Sequence, residues 1–134
     1  PLSSNICTSS NKIPTIIFYN KIDKSKIAKL KNLNIRLIKS DLDIVGNFNL
    51  KSILFKIKLL GFSRIFLETG IELTHSFLKE NLVNDFKLFV SKKKVGSCGS
   101  NKFKECMKLF LLKKKINYEK INLLGDKLFS YKIK

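Results

Sequence analysis

The stretch Phe62–Gly96 (FSRIFLETGIELTHSFLKENLVNDFKLFVSKKKVG) constrains this chain more than any other. It reads as an unbroken apolar run, a tight acidic turn closed by Gly70, a helix, a short Asn-Asp connection and a second strand. Ile65, Phe66 and Leu67 have no polar alternation, which predicts a strand covered on both faces. Leu73, Phe77 and Leu78 give the following helix, Ile71–Asn81, an apolar side. Phe86, Leu88 and Val90 alternate with Lys87, Phe89 and Ser91, the pattern of a half-covered strand. A strand that runs through Gly into a helix start aims backbone N–H groups at an anion. By itself one glycine before a helix is a weak signal, more often just a turn.

The flanks extend this into an α/β pattern. Thr15–Tyr19 predicts a buried strand, Ser25–Leu33 a short helix with Ile27 and Leu30 on one side, and Ile35–Ile38 a second strand. Such a strand–helix–strand unit pairs in parallel by default. Asn49 caps a helix running to Leu60, and Gly61 fits the left-handed residue that ends it. Phe103–Leu112 suits either a helix or, over Leu109–Leu112, a strand. Tyr118–Leu124 and Lys127–Lys134 flank Gly125-Asp126, a dipeptide suited to a hairpin. The expected architecture is one domain over residues 1–134. Its mixed sheet, mostly parallel with an antiparallel C-terminal hairpin, has Ile65–Leu67 central and helices Asn49–Leu60 and Ile71–Asn81 packed on it.

Charge invites another reading. Lys and Arg number 27 against 10 Asp and Glu, for a formal +17. Arg36 and Arg64 are the only arginines, and arginine is the preferred reader of phosphate and base edges. The lysines are spread along the chain, with tight runs only at Lys92–Lys94 and Lys113–Lys115. An A/T-rich genome accounts for this composition better than nucleic-acid binding does, though a basic nucleic-acid-binding module stays as the alternative. Cys7, Cys98 and Cys106 are odd in number and unpaired in spacing, so reduced thiols of a cytoplasmic protein are expected rather than a metal site. No apolar run reaches membrane-spanning length.

The residues Phe66-Leu67-Glu68-Thr69-Gly70, Asn81-Leu82-Val83-Asn84-Asp85, Lys94-Val95-Gly96 and Leu124-Gly125-Asp126 together resemble a known family. It is the C-terminal reductase domain of the bacterial riboflavin-biosynthesis protein that joins a pyrimidine deaminase to a pyrimidine reductase. The resemblance implies a dihydrofolate-reductase-like fold, incomplete here at the N-terminus, and a homodimer. It also implies NADPH-dependent reduction of a phosphoribosylaminopyrimidine to a ribitylamine, with no catalytic triad and no metal. Another reductase of the same superfold is a close variant.

Carried over residue by residue, Glu68 matches the substrate-contacting Glu at the strand end; without the resemblance it reads as a charge partner of the helix N-terminus. Gly70, Ile71, Glu72, Leu73, Thr74, His75 and Ser76 match the segment that lines the NADPH phosphates, with Thr74 and Ser76 as hydroxyl donors. His75, the lone histidine, reads on its own as a packing residue rather than an acid or base. The chain departs from the family at three places. Thr69 stands where Gly or Ala is usual, Ile71 replaces Pro, and Glu72 replaces a hydroxyl residue and sets a negative charge near the expected phosphates. With the family's first strands missing, the expected consequences are little activity from the chain alone and self-association through an open sheet edge.

Overall fold

The computed structural model describes residues 1–93, 110–119 and 124–134. The chain falls into two compact units, Pro1–Arg64 and Ile65–Lys134.

The first unit opens with a short helix α1 (Asn5–Thr8), which the sequence reading did not anticipate. Strand β1 (Ile16–Tyr19), helix α2 (Lys24–Asn32) and strand β2 (Arg36–Lys39) follow. The two strands pair in parallel, Ile16 opposite Arg36 through Tyr19 opposite Lys39, as expected for a strand–helix–strand crossover. Cys7, Leu30 and Ile35 form the buried centre, with Leu2, Ile17, Ile22, Leu33 and Leu37 around them. Ser10 ties α1 to the end of α2: its Oγ lies 2.6 Å from the Cys7 carbonyl and 2.5 Å from that of Leu33.

Helix α3 (Leu50–Leu59) starts where Asn49 places its side-chain oxygen 2.9 Å from the Ser52 N–H, the cap expected from sequence. Its Lys56 Nζ donates to the Lys39 carbonyl at 2.7 Å and to the buried Ser40 hydroxyl at 3.1 Å. Asn20 donates to the Ser40 carbonyl at 3.0 Å. The C-terminal ends of β1 and β2 are therefore locked to one another and to α3.

The second unit contains helix α4 (Ile71–Lys79) and three antiparallel strands, β3 (Asp85–Val90), β4 (Ile116–Glu119) and β5 (Lys127–Lys132), in the order β3-β5-β4. Leu78, Leu111, Tyr131 and Ile133 are its buried core, packed by Ile71, Val83, Phe86, Leu88, Phe110 and Phe129. Pairing of β4 with β5 bears out the C-terminal hairpin, and Leu124 and Gly125 both turn at positive φ, 52° and 99°. Asp126 then accepts from the Ser91 hydroxyl at 2.9 Å, fastening the turn to the end of β3.

Helices α2, α3 and α4 end in the same device. Asn34, Gly61 and Asn81 take left-handed backbone at φ 56°, 93° and 56°. In each case two N–H groups reach back to late carbonyls of the helix; for α4, Asn81 N–H bonds Leu78 at 3.0 Å and Leu82 N–H bonds Phe77 at 2.9 Å.

The α/β class holds, with parallel and antiparallel strands and flanking helices, but three expectations need correction. The described strands form two sheets, one parallel and one antiparallel, rather than one. Ile65–Leu67 is not a strand; its backbone pairs with no strand among the described residues. Ile65 is 47% and Phe66 88% exposed. An all-apolar run specifies a strand only if neighbours satisfy its N–H and C=O groups, and here β1 pairs with β2 while β3 pairs with β5. Leu73 is also exposed, and Ile71 instead packs against the core cluster that contains Leu78. The Lys94-Val95-Gly96 motif, the Gly96–Asn101 loop, most of Phe103–Leu112, Cys98 and Cys106 lie outside the described residues.

Candidate functional site

The expected site residues are brought together at the start of α4. The chain approaches through Glu68 and Thr69, both exposed, and Gly70 occupies the position just before the first helical residue. Gly70 has ordinary extended backbone, φ −66° and ψ 168°, which any residue adopts. A methyl group built on it would meet nothing within 4 Å. Neither backbone nor packing requires glycine here. Its effect is instead to leave the helix start bare, because it carries no oxygen to cap the first N–H groups and no such cap bond forms.

The first intrahelical bond is Thr74 N–H to the Gly70 carbonyl at 3.1 Å. The Ile71 and Leu73 N–H groups precede it and sit at the positive end of the helix dipole. The Ile71 side chain itself turns into the core, so only its backbone is available to a ligand. Glu72 lies in the first turn, where its charge favours the helix but opposes an anion. His75 is half-buried.

Each of the two expected hydroxyl donors lies within hydrogen-bond distance of a carbonyl in the preceding turn. Thr74 Oγ1 lies 3.0 Å from the Gly70 carbonyl and Ser76 Oγ lies 3.0 Å from the Glu72 carbonyl. Both hydroxyls bond back to the preceding turn, as Ser and Thr do inside helices. Thr74 also meets Thr69, with the two Oγ1 atoms 2.9 Å apart. Sequence reasoning noted Thr69 only as a departure; the visible signal was two threonines five residues apart, one before the helix start and one in its first turns.

A second polar cluster lies on the antiparallel sheet. Glu119 on β4 accepts from Lys87 Nζ on β3 and from Ser130 Oγ on β5, so one carboxylate spans all three strands. These bonds, Lys87 first, hold its carboxyl below the usual range. The cluster gave no signal in the sequence because its members are up to 43 positions apart and meet only through strand register. Among the described residues no group of three His, Cys, Asp or Glu side chains is placed to hold a metal, and no helix is long and apolar enough to cross a membrane.

An exposed Glu68 thus stands two residues before a bare glycine helix start, in a unit that also holds an antiparallel hairpin. A family model described as the RibD C-terminal domain matches residues 1–122. The chain belongs to the RibD C-terminal domain family. A curated relative, "Riboflavin biosynthesis protein RibD" of Aquifex aeolicus (strain VF5), is 30% identical over 134 residues. The match covers 96% of this chain and 34% of the relative, so the chain spans about a third of that relative's length. The matched residues of this RibD C-terminal domain include the Glu68–Gly70 turn and helix α4.

Proposed function

We propose that this chain is the reductase portion of a longer riboflavin-biosynthesis enzyme, and that the enzyme reduces 5-amino-6-(5-phosphoribosylamino)uracil to its ribitylamino product with NADPH. The observation that carries the reading is the family match over residues 1–122. The bare start of α4 supports it, because Gly70 leaves room and N–H donors for a phosphate of the cofactor. The residues present fit a nicotinamide dinucleotide at this turn, with backbone N–H groups of Ile71 and Leu73 as its phosphate donors.

When bound, the cofactor supplies a hydride to the ribosyl carbon attached to the amine, and the sugar ring opens. The protein's part is to hold donor and acceptor carbons together and to exclude water. Exposed Glu68 accepts hydrogen bonds from substrate hydroxyl or amine groups. Gly70 admits the phosphate. Thr74 and Ser76 shape the helix start rather than donate to the ligand, since Thr74 is engaged by the Gly70 carbonyl and the Thr69 hydroxyl and Ser76 by the Glu72 carbonyl. Glu72 must turn from the phosphates or meet a cation there, and the lysine-rich surface offers many. We place the enzyme in the cytoplasm as a homodimer that self-associates through the edges of the antiparallel sheet, where β3 and β4 are the outer strands among the described residues.

A titration of the full gene product with NADPH, followed by nicotinamide fluorescence, tests this reading. Saturable binding that inorganic pyrophosphate competes away is expected. Absence of NADPH binding, with saturable RNA binding at physiological salt in its place, would replace it with the basic nucleic-acid-binding module.

A further inference from the structure

We propose that Thr69 and Thr74 act as a positioning pair that holds the Glu68–Gly70 turn against the start of α4 while leaving that start open. A helix start is usually fixed in one of two ways. A side-chain oxygen at the capping residue takes an N–H from the first turn, or an apolar residue just before the cap packs on the fourth helical residue. The first device consumes the donors an anion would use; the second does not. Here the capping residue is Gly70, with no side chain and open space around it. The residue before it is Thr69 and the fourth helical residue is Thr74, the two positions of the apolar device. They are joined by a hydroxyl–hydroxyl bond of 2.9 Å.

The protons are accounted for within the turn. Thr74 Oγ1 lies 3.0 Å and Thr69 Oγ1 3.3 Å from the Gly70 carbonyl, so one hydroxyl donates to that oxygen and the other to its partner hydroxyl. Ile71, partly buried against the core cluster, anchors the helix side of the joint. The threonine pair anchors the approach side, where Glu68 sits one residue earlier. The division of labour is then clear: the pair sets direction, and Gly70 keeps the N–H groups available. Back-bonding by Thr74 alone would need no Thr69, which separates this role from simple satisfaction of one hydroxyl.

The ligand side of this inference rests on the NADPH reading above; the structural side does not. Four variants of the full gene product test it: Thr69→Val, Thr69→Ser, Thr74→Val and the double Thr69→Val/Thr74→Val. Amide hydrogen exchange at Thr74 and an NADPH titration are the two readouts. Loss of one hydrogen bond predicts Thr74 exchange faster by about tenfold and NADPH binding weaker by about five- to tenfold in Thr69→Val. Thr69→Ser restores both, which a loss of packing alone would not. Thr74→Val repeats the effect, and the double variant adds little, because a pair that acts as one unit is not additive. Exchange and affinity both within twofold of wild type in Thr69→Val, or effects that add in the double variant, would overturn the pair. If wild type binds no NADPH, the cofactor reading fails, while the exchange measurement still decides the pair.

Discussion

Replacing Gly70 with Val separates a binding role from a structural one. The backbone at φ −66° and ψ 168° is open to a β-branched residue, and a Cβ there meets nothing within 4 Å. Restricting the unfolded chain by losing a glycine stabilises by about 0.4–1 kcal/mol. Valine is a poorer capping residue than glycine, which costs a similar amount. The two effects offset, so the melting temperature of Gly70→Val should stay within about 4 °C of wild type. Binding is another matter. Two methyl groups over the Ile71 and Leu73 N–H groups would keep a phosphate away, and each hydrogen bond to a charged group is worth about 1.5–3 kcal/mol. The expected rise in the NADPH dissociation constant is about 10- to 100-fold. Gly70→Ala should fall between. The assay is a thermal melt and an NADPH titration of the same preparation of the full gene product. An unchanged dissociation constant would refute the reasoning. So would a melting temperature lowered in step with binding, because that would make Gly70 a packing residue.

Glu68→Gln keeps the shape of the turn and removes its charge, so turnover should fall more than NADPH affinity; equal losses in both would show that Glu68 acts on the cofactor or the fold. Leu78, 2% exposed, should cost about 2–5 kcal/mol as Leu78→Ala in chemical denaturation. Phe66→Ala, at an 88% exposed site, should stay within about 0.5 kcal/mol, and a core-sized loss there would show that Phe66 is covered in solution. Lys87 and Ser130 hold the Glu119 carboxyl below its usual range. A depressed folded pKa contributes stability that is present above the unfolded carboxylate value and lost as pH falls through the folded one. Wild type should therefore lose more stability in acid than Glu119→Gln does, and parallel acid profiles would contradict this.

What the sequence made legible was local. Asn49 declared a cap by its residue type, and Gly61 declared a helix end by its freedom at positive φ; both stand at φ and bonding that match. Asn34 and Asn81 do what Gly61 does, but asparagine also caps helix starts and fills turns, so its left-handed role was not distinctive. Ile65–Leu67 misled because apolarity reports a preference for burial and says nothing of which strand supplies a ladder. Leu73 misled for a related reason: one helix turn offers Ile71 and Leu73 to different sides, and only the position of the sheet decides which is covered. At the candidate site, the motif put Gly70 at a helix start, where it stands, and Glu68 at a strand end that does not form. The hydroxyl geometry was not legible, because whether a threonine proton goes to a ligand or to the preceding turn depends on coordinates rather than residue type.

Turnover tests the central claim most directly. The full gene product is incubated with NADPH and 5-amino-6-(5-phosphoribosylamino)uracil, reduced nicotinamide is followed by its absorbance, and the product is identified by mass. The account predicts that NADPH is consumed only with the pyrimidine present. One ribitylamino product should form per NADPH oxidised, and Gly70→Val should slow its formation at subsaturating NADPH. Tight NADPH binding with no reduction of the pyrimidine, or reduction that Gly70→Val and Glu68→Gln leave untouched, would contradict it.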